Sequence, residues 1–474
     1  MRLRRRWLVR IAAAVILCAL VGAAYAVPTA IRIGAGHYVK MMCSGLFLSK
    51  REVKALVDKE IAADLNGWLE EYVPVIDRER GTVEASLFGM GTTKAVHREG
   101  LGCTVLSGAP EDAVRRQLTR PIQRAASGNR TALWPEGDRV DLSALPPQID
   151  RERLSAAMRA AFEEPQPRSL KRTRAVVVVH KGRIVAEDYG QTFKPETPMM
   201  GWGLAQGAVN ALVGILVKEG KLRLEGRELL PAWRDPSDPK AQIALDHLMR
   251  MTSGLVFDQS DAALVGDLFP MLYTQTDTAA FAAGKALEAD PGTRWAFSSG
   301  TTNIVSRVVR EALGPDLNDY FSFPYRGLFD RIGMGSAVLE ADASGTFVGS
   351  HFLYATARDW ARLGLLFLND GVWQGERLLP EGWVRYSTTP APGSDGAFGA
   401  HLWLEVPEIM RPSGAPRRDL PADAFYLVGF GGQLIAVVPS RELVLFRSGI
   451  GRYRGAWDPE AFVARFLQAF PSAE

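Results

Sequence analysis

The sequence is short of most residues that mark specialised chemistry. Six histidines are scattered through 474 residues, at positions 37, 97, 180, 247, 351 and 401. None is spaced as a metal-binding pair and no H-E-x-x-H occurs, so the pattern calls for no metal and no cofactor. His351, in GSHFLYATARDW, is read as packed or solvated; a relocated base is the alternative. Charge is nearly balanced at +3, and no basic stripe with interleaved aromatics exists, which sets nucleic acid aside. Glycines 429, 431 and 432 stand before an expected strand, not a helix, so they do not form a phosphate cradle. Internal repeats and low-complexity tracts are missing too. What remains is a globular composition, 47% hydrophobic and 23% charged, with room for a large core and more than one domain.

Charge is locally absent in one place. MRLRRRWLVR is basic and IAAAVILCALVGAAYAV follows without a charge, the pattern of an export signal over residues 1–30. Ala24-Tyr25-Ala26 offers a cleavage site before Val27. If uncleaved, the run would anchor the chain in the cytoplasmic membrane, with Arg2, Arg4, Arg5 and Arg6 inside. The expected location is therefore the periplasm, or the outward face of that membrane. Cys18 lies within the apolar run. Cys43 and Cys103 remain; an exported chain permits a bridge between them, and two buried free thiols are the alternative.

Residues 31–150 have mixed character. KREVKALVDKEIAADLNGWLEEY reads as a helix, with Val53, Leu56, Val57, Ile61, Leu65 and Leu69 near one face, and TVEASLF reads as a strand. Pro146 and Pro147 punctuate the chain before a helix that Asp150 caps and that Leu154, Met158, Ala161 and Phe162 stripe. A domain boundary is expected between 140 and 170. After it, RAVVVVHKGRIVAEDY is a hairpin turning at Lys181-Gly182. Helices follow over Ala208 to Glu219, ended by Gly220, and in ATARDWARLGLLFLNDG. QLIAVVPSRELVLFRSG is a closing hairpin. The expected fold is α+β: an antiparallel sheet flanked by helices, with an inserted helical subdomain and a smaller N-terminal α+β region before it.

Residues 171–474 resemble the penicillin-recognising serine hydrolases, a family of class C β-lactamases, DD-peptidases and related esterases and aminohexanoate-oligomer hydrolases. The resemblance is carried by RAVVVVHKGRIVAEDY, GWGLAQGAVNALVGILVKEGKLRLEG, ALDHLMRMTSGLVFD, PGTRWAFSSGTTNIVSRVV, YATARDWARLGLLFLNDGVWQGERLLPEGW, FGAHLWL and GFGGQLIAVVPSRELVLFRSG, in the family's order. The segments around Cys43 and Cys103 are similar to the upstream region of its exported aminohexanoate-hydrolase-like branch. The resemblance implies an S-x-x-K element at a helix start, a tyrosine for proton transfer and a late K-T-G or H-x-G strand.

At those positions this chain differs. Gly203 stands where the serine is expected, Gln206 where the lysine is, and Phe297 where the tyrosine is. Phe430 stands where a histidine is frequent. A glycine has no attacking oxygen, and an amide exchanges no proton near neutral pH. The bland reading of Gly203 is a turn glycine chosen for backbone freedom. Ser237-Asp238-Pro239-Lys240 is a literal S-x-x-K, but it sits in a proline-bearing loop and is a chance match. Ser298, Ser299, Thr301, Thr302 and Ser253 are read as structural hydroxyls.

The expected function is an exported pseudoenzyme whose cleft, lined by Trp202, Gly203, Gln206, Phe297, Ser299, Phe430 and Gly431, holds a peptide, amide or ester-like ligand. One alternative is an active hydrolase with a nonstandard nucleophile, or with water held by Gln206. Another is a structural partner attached to the membrane through its N-terminal segment. If Gly203, Gln206 and Phe297 converge, restoring Ser, Lys and Tyr there is expected to return some esterase activity.

Overall fold

The computed structural model describes residues 26–61, 67–122, 124, 131–143, 145–164, 170–260, 266–451 and 455–470. The expected signal or anchor lies outside the described residues except for 26–30, as does Cys18. Among the described residues no helix is long and apolar enough to cross a membrane.

The centre is a five-stranded antiparallel sheet built from both ends of the hydrolase-like region. Strands β5 (Thr173–His180) and β6 (Arg183–Tyr189) form its first hairpin. Its other strands are β12 (Phe425–Gly429), β13 (Gln433–Val438) and β14 (Leu443–Gly449), in the spatial order β12-β13-β14-β5-β6. Strand β14 pairs with β5 in the register Val444↔Val179. Lys181 and Gly182 both take positive φ, as the two-residue hairpin turn requires.

Every residue of β13 and β14 is buried. Helices therefore cover both faces, which is why these strands read as continuous apolar runs without the usual alternation. On one face Val176, Val178, Leu434, Ala436 and Leu445 pack with α2 (Arg151–Phe162) and the last helix, α6 (Pro459–Leu467). Asp150 caps α2 by accepting from the Arg153 N–H at 3.0 Å. Helix α2 is thus part of the sheet's outer layer. On the other face Val177, Val179, Ile435 and Val444 pack under α5 (Ala357–Leu368). A Cβ on Gly364 of α5 would stand 2.5 Å from Val444 Cγ1, so helix and sheet approach at glycine distance.

Between β6 and β12 lie the remaining helices. Helix α3 (Ala205–Lys218) is buried all round from Ala205 to Leu216, as expected of a helix surrounded by other elements. Its Asn210 is fully satisfied: it donates to Ser387 Oγ and the Ala400 carbonyl and accepts from Trp383 Nε1. Helix α4 (Ser299–Leu313) starts at Ser298, whose hydroxyl accepts from the Thr301 N–H. A short ribbon joins β7 (Met199–Met200) and β8 (Val338–Leu339) to the central β9 (Leu353–Ala355). A two-stranded hairpin, β10 (Val372–Trp373) and β11 (Glu376–Arg377), follows α5.

The N-terminal region is a four-stranded antiparallel meander, β1 (Val73–Asp77), β2 (Thr82–Leu87), β3 (Met90–Arg98) and β4 (Gly102–Val105), beside the helix α1 over 26–47. A disulfide joins Cys43 of α1 to Cys103 of β4. The free-thiol alternative is thereby set aside. Next to it, the wholly buried Lys40 and Glu340 form an ion pair. Lys40 also donates to the Cys103 carbonyl, and Glu340 accepts from Ser44 Oγ and the Cys103 N–H. This network and a shared apolar core bind the N-terminal region to the rest of the molecule.

The helix expected over 50–72 is broken up. One α-helical turn at Val53–Leu56 widens into a π turn at Val57–Ile61, and a 3₁₀ turn covers Gly67–Glu71. The wide turn accompanies an ion pair of buried Glu60 with Arg51, with Arg174 3.5 Å away on β5. A solvent-side helix would leave those charges unmet. Leu65 lies outside the described residues.

Candidate active-site cleft

The chain leaves β7 through Gly201, which Trp360 packs so closely that a Cβ would lie 2.3 Å from its ring. Trp202 then takes φ 50, and a 3₁₀ turn over Trp202–Leu204 runs into α3. Gly203 itself is not left-handed, so backbone freedom does not explain it. Space does: a Cβ at 203 would stand 2.3 Å from the Val428 carbonyl oxygen and 3.3 Å from Gly429 Cα. The end of β12 occupies the volume that a side chain on residue 203 would need.

One turn on, Gln206 is 4% exposed and lines the cavity described below. Trp202 Nε1 is buried and has no hydrogen-bond partner among the described residues. Phe297 packs its ring 5.3 Å from that of Trp403 and 6.0 Å from that of Phe398. Phe430, 38% exposed, leans on Trp202 at 5.2 Å. Gly431 and Gly432 carry the chain into β13 with φ 74 and 93, so their conformation does need glycine.

These residues surround one cavity of about 600 Å³. Trp202, Gly203, Gln206, Phe297, Ser299, Phe430 and Gly431 all line it, and so does His351. The substituted positions 203, 206 and 297, distant in sequence, share this cleft. Among the described residues no Asp, Glu, Lys or Arg side chain lines it.

The nearby hydroxyls are engaged. Ser299 is buried, its Oγ accepting from Gln259 Nε2 at 2.9 Å while its N–H donates to Gln259 Oε1 at 2.8 Å. Thr302 Oγ1 is 3.4 Å from His401 Nε2. Ser253 Oγ accepts from the Leu255 N–H. His351 Nδ1 meets Ser350 Oγ at 2.8 Å, and its ring stands edge-on to Trp202. Burial pushes His351 down to about 3, so the imidazole is neutral at physiological pH. Ser237 bonds Asp235 in an Asx-type turn leading to the 3₁₀ turn Pro239–Gln242, and Lys240 reaches the Ala283 carbonyl; neither lines the cleft. Among the described residues no group of three His, Cys, Asp or Glu is placed to hold a metal.

Sequence reasoning missed several wall residues. Gln259, Phe269, Ile409, Met410 and Trp457 come from loops and helix starts that carry no motif. Trp403 lay within a family-like segment, FGAHLWL, without being singled out.

A five-stranded antiparallel sheet under helix layers, with a cleft where the β7–α3 turn meets the end of β12, defines the fold of the penicillin-recognising serine hydrolases. The family model described as Beta-lactamase matches residues 162–449, and the chain belongs to that family. Among solved structures it is similar to a Bacillus anthracis protein described as a 6-aminohexanoate-dimer hydrolase. That match has 18% identity over 77% of this chain and 95% of the other, with a TM-score of 0.54. A family VIII carboxylesterase matches at 15% identity over 68% and 97%, with a TM-score of 0.50. A Bacteroides dorei protein described as a β-lactamase matches at 17% identity over 67% and 97%, also at 0.50. Likeness at these identities concerns the fold. No curated protein matches the chain.

Proposed function

We propose that this chain is a non-acylating member of the Beta-lactamase family, one that keeps the cleft as a binding site for a peptide, amide or ester-like compound. The observation that carries this reading is Gly203 pressed against the Val428 carbonyl. The nucleophile's position lacks an oxygen and also lacks room for one. Gln206 and Phe297 remove the amine and the phenol that would move protons in the same cleft. Covalent catalysis of the family's kind has no starting atom here.

The ligand's character follows from the walls. The lining is aromatic and aliphatic with few polar groups, as in sites for small, weakly polar molecules. Trp202 Nε1, buried without a partner among the described residues, and the Gln206 amide in the same wall supply hydrogen bonds that a ligand carbonyl or N–H completes. The protein acts outside the cytoplasm, delivered by its N-terminal segment.

An active hydrolase with another nucleophile is the competing reading. Against it, the Ser299 Oγ accepts from Gln259, and no Lys or Arg lines the cleft among the described residues. His351 is a weak base at about 3. The test is direct. Purified protein is incubated with fluorescent penicillin and with activated esters, then examined by intact mass. No adduct and no turnover of nitrocefin or p-nitrophenyl acetate is expected. A stable adduct on any serine, or turnover abolished by Ser299→Ala or His351→Ala, overturns the proposal.

A further inference from the structure

Five of the ten most exposed large apolar side chains among the described residues lie on α1 and the β1–β3 part of the meander: Val27, Val73, Val75, Phe88 and Met90. They gather around one place. The Tyr72 hydroxyl, next to Val73, donates to the Ile31 carbonyl at 2.7 Å. Gly91, next to Met90, sits so close to α1 that a Cβ there would lie 2.5 Å from Ile31 Cγ2. Val73 and Val75 point to the same side of the sheet's edge strand β1. The patch ends at the Glu84–Lys94 ion pair, since Glu84 is the partner of Val75 across the strands.

Phe88 is the telling residue. It occupies the first turn position between β2 and β3 at φ 50, followed by Gly89 at φ 77. Such turns favour Asn, Asp or Gly at both positions, and a bulky aromatic there is strained. At 78% exposure the ring gains no burial within the molecule. An edge strand that bears two exposed valines is also a liability in water. What lies beside the patch indicates its cover. Residues 11–31 contain no charged side chain and follow a cluster of five arginines, and this run ends at the same Ile31 that the hairpin and Tyr72 touch.

We infer that the face formed by Val27, Val73, Val75, Phe88 and Met90 rests on a lipid bilayer, with Phe88 and Met90 inserted at the headgroup level. This inference rests on the reading of the N-terminal segment as membrane-entering. It gives the outward region a fixed footing, in which hairpin and apolar segment enter the same surface side by side.

The test uses the full chain in vesicles of phosphatidylethanolamine and phosphatidylglycerol. A nitroxide is attached at Phe88→Cys or, separately, at Met90→Cys, in a Cys18→Ser background. Val256→Cys, also an exposed apolar position, is the control. Labels at 88 and 90 are expected to collide several-fold more with oxygen than with a polar nickel chelate, and the label at 256 to do the reverse. Labels at 88 and 90 as nickel-accessible as the control, in protein that resists a carbonate wash, overturn the footing alone. Release of the protein by the wash overturns the anchoring as well. Shielding of both labels from both reagents means a protein covers the face, and the bilayer assignment fails.

Discussion

Substituting Gly203 with alanine tests the closed slot with the smallest change. If the position were an open relic of a nucleophile site, a methyl there would meet nothing. Gly→Ala would then stabilise by about 0.4–1 kcal/mol, through lower entropy of the unfolded chain. The structure places that methyl 2.3 Å from the Val428 oxygen, about 1 Å short of ordinary contact. Either β12 or the start of α3 must shift. Strand β12 is held by β13 on one side and by mutual backbone hydrogen bonds between Trp403 and Tyr426. Helix α3 is buried all round. Neither moves freely, so a destabilisation of about 1–3 kcal/mol is expected, as for other overpacked sites. That is a fall in Tm of about 2–12 °C, taking about 2–4 °C per kcal/mol for a domain of 150–250 residues. The assay is calorimetry or near-ultraviolet dichroism on wild type and Gly203→Ala side by side. The sign decides. A variant as stable as wild type, or more so, would show that the slot is open and the steric argument wrong. The same clash revises the expectation of easy restoration. Gly203→Ser with Gln206→Lys and Phe297→Tyr is now expected to give no penicillin adduct, although the three positions share a cleft. It would also bury a lysine where, among the described residues, no carboxylate lines the wall.

Reducing the Cys43–Cys103 bridge, which spans 60 residues, or replacing both cysteines by alanine, should cost about 4 kcal/mol in the chain-entropy model; urea titration with and without reductant measures it. Lys40→Met leaves Glu340 buried without its cation and is expected to cost about 3–5 kcal/mol. Lys40→Met with Glu340→Gln should cost less than the two single changes summed, which a double-mutant cycle checks. Burial lowers His37 to about 4 and His351 and His401 to about 3. The unfolded chain then binds more protons between those values and about 6.5. Stability is thus fully present above that pH and falls as the medium is acidified, by about 1.4 kcal/mol per pH unit for each histidine. Glu340 and Asp342, raised by burial, act in the opposite direction. His401→Asn, at φ 58 where asparagine is tolerated, should flatten urea midpoints between pH 6 and 4 relative to wild type.

What the sequence conveyed and what it hid divide along physical lines. Local chemistry was legible. Lys181-Gly182 announced its hairpin because two positive φ angles favour few residues, and Asp150 announced its helix because a cap needs an acceptor. The split of the 50–72 helix was hidden, since part of the charge environment of its Glu60 comes from Arg174, a residue far along the chain on β5. The cleft was half legible. Resemblance of the flanking segments to the family located Gly203, Gln206 and Phe297, but Gln259, Ile409 and Trp457 reach the wall from segments with no periodic signal. That the Ser299 hydroxyl is occupied was equally invisible, its partner being 40 residues away.

The least legible point is the one the function turns on. A glycine at 203 is compatible with two histories, a turn residue or a nucleophile lost, and the sequence offers both without a distance between them. The turn reading fails on its own terms, because the left-handed residue is Trp202 and not Gly203. The lost-nucleophile reading is incomplete, because it treats the site as a socket with one part removed. In a closely packed interior such a socket does not stay empty: unfilled volume forfeits contacts on every wall, and neighbouring elements relax into it. At residue 203 the element that fills the space is the end of β12, whose Val428 carbonyl oxygen stands 2.3 Å from where a Cβ would be. The cleft beyond it stays open, walled by Trp202, Gln206, Phe297 and Phe430. Closure at the reacting point with the binding volume kept favours a protein that holds its ligand over one that cuts it, and it makes the change hard to reverse by restoring three side chains, since the backbone must first withdraw.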